Sequence, residues 1–578
     1  MRKAKGGGRR DDKSSPILDM DALNRRRNDV TAATSLVLFA VIYYSLIYRY
    51  GINLADEGSV GLISQRLMHG EHPFRDVQTG YNVLWFYPIS ALFRVFGTNL
   101  LLMRGYFYAI SACSGLIAFL TLRRLDAPLW LSLIQGLIVI SINGQYFKAY
   151  IPFLVLANLF AITLFLTSQR KRLLGFGAGI LLGTTYLIRI DIAIFCSVVW
   201  FVVFLFHAIF VDRALRPNIS AACYCLLGIV AMHLPFLYDA YHRRFLTPFV
   251  DQYSDIAALI LRPIVPHAPE DSGANRRQAQ QSTVPAAETE SKATAETNSS
   301  VLQRRHFHEI LKSPSLEKRL LAFLTYIPPL LICALGITGL YLCIRRTITI
   351  DRWLLLSALL AGSLTVFPQF FFFRPDLPHL IEFMKGAAVA LVGAGWILWA
   401  TLGKSRLSVS FAFAIGLSEL AYVWLAFASP YGGTLLVRMN RHMEFRGANG
   451  VDVLLNRVEH QEVAELYSAT VLNSAKNDYV ACYPYLPGVN FITARPTFQS
   501  NLYIDNLTQS AEWQQSEISK IQRYRPAVII IDDWKINGTD DSRFTYWAKL
   551  VTRYVESHYR PVSTVNGKMI FARLTPSM

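Results

Sequence analysis

The sequence predicts an α-helical polytopic membrane protein of about eleven transmembrane helices carrying a small C-terminal α/β domain. Three observations predict it. Apolar residues make up 53% of the 578 positions and charged residues only 17%, against about 25% charged residues in a soluble chain, and the mean hydropathy is +0.30. Long apolar runs recur from residue 31 to about residue 430, and the basic clusters between them fall in loops of one parity. Beyond Pro430 the runs shorten, and β-type segments alternate with amphipathic helical ones. The 57 basic and 40 acidic residues leave a net charge of +17. In a soluble protein such an excess points to nucleic acid. Here it sits mostly in the N-terminal tail and the inner loops, where it sets topology and implies no nucleic-acid partner.

Residues 1–30 (MRKAKGGGRRDDKSSPILDMDALNRRRNDV) are polar and basic, too poor in apolar surface to order, and read as a disordered cytoplasmic tail. The run 31–49 is long enough to cross ~30 Å of hydrocarbon. Arg25, Arg26 and Arg27 set its N-terminus inside, and with no small-residue cleavage site after it the run reads as an uncleaved span. Segment 81–96 is short and interrupted by Pro88 and Arg94. If it crossed, the next run would carry Arg123 and Arg124 outside, so it is expected to lie along the outer face as an interfacial helix. Further spans are expected at 100–122, 129–146, 149–168, 173–189, 191–211, 218–240, 320–343, 353–373, 380–402 and 407–429. This choice brings Arg123/Arg124, Arg170/Lys171/Arg172, Arg213/Arg216, Arg345/Arg346/Arg352 and Lys404/Arg406 inside and leaves the C-terminus outside.

Residues 263–303, rich in Pro, Ala, Ser, Thr and Glu, are expected to form a disordered outer loop. From 431 to 578, β-type runs at 478–482, 527–531 and 569–572 alternate with helical stretches near 457–474, 508–522 and 543–558, the pattern of a small extracytoplasmic α/β domain. Cys113, Cys196, Cys223, Cys225, Cys333 and Cys343 fall in spans as small hydrophobes, and Cys482 alone lies in the outer domain, which therefore has no internal disulfide. The absence of a CxxC pair and of a phosphate-binding P-loop gives no support to a zinc finger or an ATP-driven pump of the usual kind.

Charges beside hydrocarbon are costly and are usually retained for function or for a specific ion pair. Three charged clusters fall at the outer ends of spans, although the topology rests on the inner loops alone. The first is Asn53-Leu54-Ala55-Asp56-Glu57-Gly58. Two adjacent carboxylates at a membrane boundary can serve as a base for an acceptor hydroxyl or hold a divalent cation that neutralises a phosphate leaving group. The plain alternative is a solvated loop. Downstream come Gly70-Glu71-His72-Pro73-Phe74-Arg75-Asp76, Tyr81 with Leu84 and Phe86, Leu92-Phe93-Arg94-Val95-Phe96-Gly97, and Arg104 opening the next span.

That order, D-E-G, then G-x-x-P-F-R-D, Y-x-x-L-x-F, L-F-R-x-F-G and an Arg, resembles the first outer loop of membrane glycosyltransferases of the GT-C class. These include the protein O-mannosyltransferases, the lipid A aminoarabinose transferases and a rhizobial galacturonosyltransferase-like group. The resemblance is closest over residues 50–125. It implies a GT-C-like membrane domain over 31–430 with its catalytic loop at 50–99, in a bacterial inner membrane. It also implies transfer of a sugar, with inversion, from a polyprenyl-phosphate donor to a glycan, lipid or protein acceptor on the outer side, among membrane lipids. By position, Asp56 would be the catalytic acid residue and Glu57 its neighbour, with Arg75, Asp76, Tyr81 and Arg104 as donor or substrate contacts. One departure stands out: where many relatives have Pro-Pro or Gly-Pro before the interfacial helix, this chain has Gly80-Tyr81-Asn82-Val83.

The second cluster is Arg189-Ile190-Asp191. Arg189 is a candidate for the donor phosphate, since its planar fork matches phosphate oxygens; a mutual pair closing a tight outer turn is the alternative. The third is Phe373-Arg374-Pro375-Asp376-Leu377-Pro378-His379, followed by Glu382 and Lys385. Arg374 is a second phosphate candidate, and Asp376 and His379 are candidates to orient a sugar hydroxyl or the arginine; a packed histidine is the bland reading. Asp56, Glu57, Asp76 and His379 are candidate oxygen and nitrogen ligands for a divalent cation, though their spacing alone does not prove that they meet. The aromatics at 81–87 and 370–373 read first as an interfacial belt, with a polyprenyl groove as the sharper alternative. Tyr483-Pro484-Tyr485-Leu486-Pro487-Gly488 and Arg495-Pro496 read as a strand followed by turns, without catalysis; they are similar to the tail domain of some GT-C chains.

Two other function classes compete. A transporter or flippase of lipid-linked sugars predicts charges near the midplane and similar halves; the sequence shows no repeat and places its polar clusters at one face. A non-catalytic scaffold presenting residues 431–578 is the third.

Overall fold

The computed structural model describes residues 16–142, 144–211, 215–261, 316–368, 377–428, 440–504, 510–535 and 540–574. The helices of the first part are α1 (Pro16–Ser45), α2 (Asp56–Met68), α3 (Tyr87–Phe96), α4 (Leu100–Arg124), α5 (Leu129–Ser141), α6 (Tyr150–Thr167), α7 (Lys171–Ile188), α8 (Ile190–Phe206), α9 (Leu215–His242), α10 (Leu246–Leu261), α11 (Leu316–Ile344), α12 (Ile350–Ser363), α13 (Leu377–Leu402) and α14 (Arg406–Ala428). Among the described residues 7 helices are long and apolar enough to cross a membrane: Leu100–Arg124, Tyr146–Thr167, Ile190–Val211, Pro217–His242, Phe323–Ile344, His379–Leu402 and Arg406–Trp424. The protein is thus a helical membrane protein.

Four expected spans fall short of that test. α5 stops at Ser141 after 13 residues and α12 at Ser363 after 14, too short to cross ~30 Å of hydrocarbon unaided. α7 opens on Lys171 and Arg172, and α1 carries the charges of residues 16–30 in the same helix as its apolar run. The expectation that 1–30 is disordered therefore fails over 16–30: Pro16 begins a helix that continues into the span and needs no separate nucleus. Segment 81–96 is a short 3-10 turn (Val83–Trp85) followed by α3, which buries Ile89, Ser90 and Phe93 on one face. α10 was not expected at all. The loop 263–303 lies outside the described residues.

The helix ends segregate. Arg25 pairs with Asp126 at 2.7 Å and Arg123 with Asp29 at 2.7 Å. Arg124 donates to the Thr167 hydroxyl at 2.8 Å, and Trp396 donates to the Leu125 carbonyl at 3.2 Å. Four of the expected inner segments therefore meet at one end of the bundle, away from the loop that carries Asp56.

α7 and α9 approach most closely. Gly175, Gly179 and Gly183 recur at four-residue spacing along one face of α7, and a Cβ on each would run into Ala221, Cys225 or Met232 of α9, while one on Gly228 would meet α7 backbone. Small residues at this spacing let two helices in lipid pack backbone to backbone, where no hydrophobic effect drives them together. Gly179→Leu is expected to force α7 and α9 apart and destabilise the fold by about 1–3 kcal/mol, the usual size of overpacking. A lowered thermal unfolding midpoint in detergent checks this, and an unchanged midpoint contradicts it.

The C-terminal domain has a four-stranded sheet in the order β3-β4-β6-β5 and a separate hairpin β1-β2, where β1 is Met443–Arg446, β2 Asp452–Leu455, β3 Val480–Tyr483, β4 Val528–Asp532, β5 Tyr559–Val565 and β6 Lys568–Arg573. β3 and β4 run parallel, and β6 is antiparallel to both β4 and β5. β3 and β4 are buried along their whole length, so they read as continuous apolar runs. The helices are α15 (Arg457–Leu472), α16 (Gly488–Thr493), α17 (Ala511–Tyr524) and α18 (Lys549–His558). An Asn456/Glu459 capping box starts α15. The predicted α/β pattern is present; β1, β2, β5 and α16 are additions. All seven cysteines are free.

This domain is seated on the loop between α1 and α4. The Gly51 amide donates to the Leu454 carbonyl and the Leu454 amide to the Arg49 carbonyl, both at 2.8 Å, while Arg49 pairs with Asp452 at 2.6 Å. Farther along, the Gln78 amide donates to the Ser500 carbonyl at 2.8 Å and Arg66 to the Gln499 carbonyl at 2.6 Å.

Candidate functional site

Asp56 begins α2, half-buried, and its own amide donates to the Asn53 side chain at 2.9 Å. Its Oδ1 accepts a hydrogen bond from the Tyr485 hydroxyl at 2.8 Å. Among the described residues Oδ2 has no hydrogen-bond partner, which leaves one oxygen for a ligand. Burial, and then the Asp56 charge, push the Tyr485 phenol well above its ordinary value, so it stays a donor.

Glu57 points the other way. Its side chain and that of Arg104 are 2% and 1% exposed. The pair is bidentate: Arg104 Nε donates to Oε1 at 2.7 Å and Nη2 to Oε2 at 3.0 Å. Arg104 also donates to the Tyr48 carbonyl at 2.8 Å, the Gly51 carbonyl at 2.6 Å and the Tyr146 hydroxyl at 3.1 Å, and Glu57 Oε2 accepts from the Asn53 amide at 3.0 Å. These bonds engage both carboxylate oxygens and all three guanidinium nitrogens. Glu57, the expected catalytic neighbour, and Arg104, the expected substrate contact, thus form a buried charge pair that fixes where α1 ends, where α2 begins and hence where Asp56 stands.

One buried basic group lies within electrostatic reach of Asp56. Lys148, between α5 and α6, is buried and interacts electrostatically with Glu382, Tyr81 and Asp56. Its Nζ lies 3.6 Å from Glu382 Oε1 and 3.4 Å from His379 Nε2. Tyr81 stacks on Trp85 with centroids 3.8 Å apart, and the Arg189 guanidinium lies 5.7 Å from the Tyr81 ring. Arg189 stands in the extended break between α7 and α8 and forms a bidentate pair with Asp191 at 2.9 and 3.1 Å. The pair closes the turn, and the guanidinium borders the Tyr81 ring.

Arg75 and Asp76 belong to a different contact. Arg75 donates to both Asp76 oxygens at 2.9 and 2.7 Å and to the Arg243 carbonyl at 2.8 Å, while Asp76 accepts from the His72 amide at 2.8 Å. The Arg75 hydrogen bonds hold the Asp76 carboxyl below its ordinary value. This cluster ties the outer loop to the end of α9. Arg374, Asp376 and the aromatics 370–373 lie outside the described residues.

The four candidate cation ligands have other neighbours, and Asp56 accepts from Tyr485. Glu57 is taken by Arg104, Asp76 by Arg75, and His379 lies beside Lys148; among the described residues no group of three or more His, Cys, Asp or Glu side chains converges. The expectations also passed over Lys148 and Tyr485. Lys148, a lone lysine in the apolar stretch Gln145-Tyr146-Phe147-Lys148-Ala149-Tyr150, was findable by the cost of a charge at that depth. No local signal marks Tyr485, which is 429 residues from Asp56.

No protein-family model matches this chain, and no curated protein matches it.

Proposed function

We propose that the protein is an inverting membrane glycosyltransferase that moves a sugar from a polyprenyl-phosphate donor to an extracytoplasmic glycan, lipid or protein. One observation carries this reading: Asp56 has one oxygen held by Tyr485 and the other without a hydrogen-bond partner among the described residues, within electrostatic reach of the buried Lys148, while Arg189 borders the Tyr81 ring. In the reaction, the acceptor oxygen attacks the anomeric carbon as its proton passes to Asp56. The bond from that carbon to the phosphate oxygen breaks, and the polyprenyl phosphate leaves with the electron pair. Lys148 and Arg189 meet the developing phosphate charge in a site poor in water, where fixed charges act most strongly. A cleft of about 480 Å³ between α1 and α4, lined by Val37, Val41, Tyr44, Tyr108 and Leu116, offers apolar surface of the kind an isoprenoid tail needs. The eleven-span topology, the inner-membrane location and the extracytoplasmic C-terminal domain belong to the same proposal.

Lys148→Met is expected to raise the KM for the donor roughly 10- to 100-fold, the size of a charge-assisted hydrogen bond. Steady-state kinetics on the purified protein check it, and an unchanged KM removes Lys148 from the donor site. The reading as a whole is tested by mass spectrometry of envelope glycans from a deletion strain. Loss of one sugar, restored by the wild-type chain, is the expected result, and an unaltered glycan profile would remove the proposal.

The transporter reading has one observation in its favour. Glu419 is buried on α14, and Gln135 Nε2 of α5 approaches its Oε2 at 3.5 Å. It is an acid facing an amide and, among the described residues, has no basic partner in ion-pair range. Glu419 thus has no charge pair of its own, and the buried pair within the candidate spans, Lys148 with Glu382 at 3.6 Å, borders the site proposed for the donor.

A further inference from the structure

We infer that the C-terminal domain is half of the catalytic site, with Tyr485 as the residue that positions Asp56. The inference rests on the glycosyltransferase reading above and goes beyond it, because nothing in the loop that bears Asp56 requires a second domain.

The contact is built at backbone level. Gly58 lies two residues after Asp56, and a Cβ there would collide with the Cα and amide of Gly488; a Cβ on Gly488 would collide with Leu54. The Gly488 amide donates to the Leu54 carbonyl at 2.7 Å. Neither glycine has a positive φ, so what each supplies is room. With both side chains absent, the start of α2 and the start of α16 touch, and Tyr485, three residues before Gly488, reaches Asp56 Oδ1. Phe491 of α16 also covers Gly61 and stacks near Phe93 of α3.

The bond does two things. It holds Oδ1 in place and so selects one carboxylate rotamer, with Oδ2 left without a hydrogen-bond partner among the described residues and the Asp56 charge within electrostatic reach of Tyr81 and Lys148. It also gives the carboxylate a donor that keeps its proton, since burial and the Asp56 charge hold the Tyr485 phenol well above its ordinary value. A base held in one orientation loses less freedom on reaching the transition state. Tyr485 itself is not placed on the substrate: its hydroxyl is spent on Asp56.

The test uses the full chain, purified in lipid nanodiscs, with radiolabelled polyprenyl-phosphate mannose, galacturonate and aminoarabinose as donors and an envelope extract as acceptor. Tyr485→Phe keeps the ring and removes one oxygen. The expected result is a kcat at least tenfold lower, a donor KM within twofold of wild type and an unchanged melting midpoint. Tyr503→Phe alters the ring that meets Tyr485 edge-on at 4.9 Å but makes no contact with Asp56, and is expected to keep wild-type kcat. If wild type turns over and Tyr485→Phe matches it, the composite site is overturned while the glycosyltransferase reading stands. If Tyr485→Phe melts early or loses kcat and KM together, the tyrosine is structural and the inference also falls. If wild type transfers none of these sugars, the reading beneath the inference fails as well.

Discussion

Arg104→Ala is expected to leave little folded protein in the membrane. The substitution strands the Glu57 carboxylate, 2% exposed, without its counter-charge and frees the Tyr48 and Gly51 carbonyls that the guanidinium joins. Breaking a buried ion pair from one side costs about 3–5 kcal/mol, a large part of the stability of an ordinary domain. The same reasoning orders related variants. Glu57→Gln keeps one acceptor oxygen but sets an amide NH2 against N–H donors and removes the Arg104 counter-charge, so it is also destabilising; its effect is expected to be smaller than that of Arg104→Ala because the guanidinium still joins the Tyr48 and Gly51 carbonyls. Replacing both residues by methionine removes both charges together and is expected to be milder than Arg104→Ala, since buried pairs exchanged for apolar residues are often neutral. Fluorescence-detected size exclusion and thermal unfolding in detergent rank the three. Equal stability for Arg104→Ala and wild type would show that the pair does not hold the loop.

Asp56→Asn is expected to fold normally and to lose transfer. The residue is half-buried, its amide replacement preserves shape, and the Tyr485 hydroxyl can still donate to the side-chain oxygen. What disappears is the proton acceptor. General base catalysis contributes about 10²- to 10⁴-fold, so kcat is expected to fall by that factor with donor affinity largely retained, because Lys148 and Arg189 are untouched. The two substitutions thus separate neighbours that the sequence presents as a single Asp-Glu motif. At position 56 the loss is chemical; at position 57 it is structural. Complementation of a deletion strain reads the difference: Asp56→Asn protein accumulates without restoring the glycan, whereas Arg104→Ala protein does not accumulate.

The helices were legible because apolar runs and basic loops obey simple lengths and signs, and β3, β4 and β6 because short β-branched runs are bounded by turns. Helix ends were less so. α5 stops at Ser141 and the chain turns through Gln145 to reach Lys148, yet composition alone continues the apolar run to residue 146. The candidate site was legible in one respect: costly charges at helix ends single out Asp56 and Arg189, which the structure sets in electrostatic reach of Tyr81. It was illegible where residue pairs decide roles. Glu57 is removed from chemistry by Arg104, 47 residues away, and Asp56 is oriented by Tyr485, 429 residues away. Neither separation leaves a periodic trace. Glycines at 58 and 488 were the available hint, but a glycine in sequence does not say what approaches it.

The most direct test of the central claim, that Asp56 acts as a base in a single displacement, is the anomeric configuration of the transferred sugar. With Glu57 locked to Arg104, Asp191 paired to Arg189 and Glu382 set beside Lys148 at 3.6 Å, Asp56 is the proposed base, and a base leaves no covalent sugar on the protein. Nuclear magnetic resonance of donor and product is expected to show inversion at the anomeric carbon. Retention of configuration would make Asp56 a nucleophile or a bystander and would contradict the account.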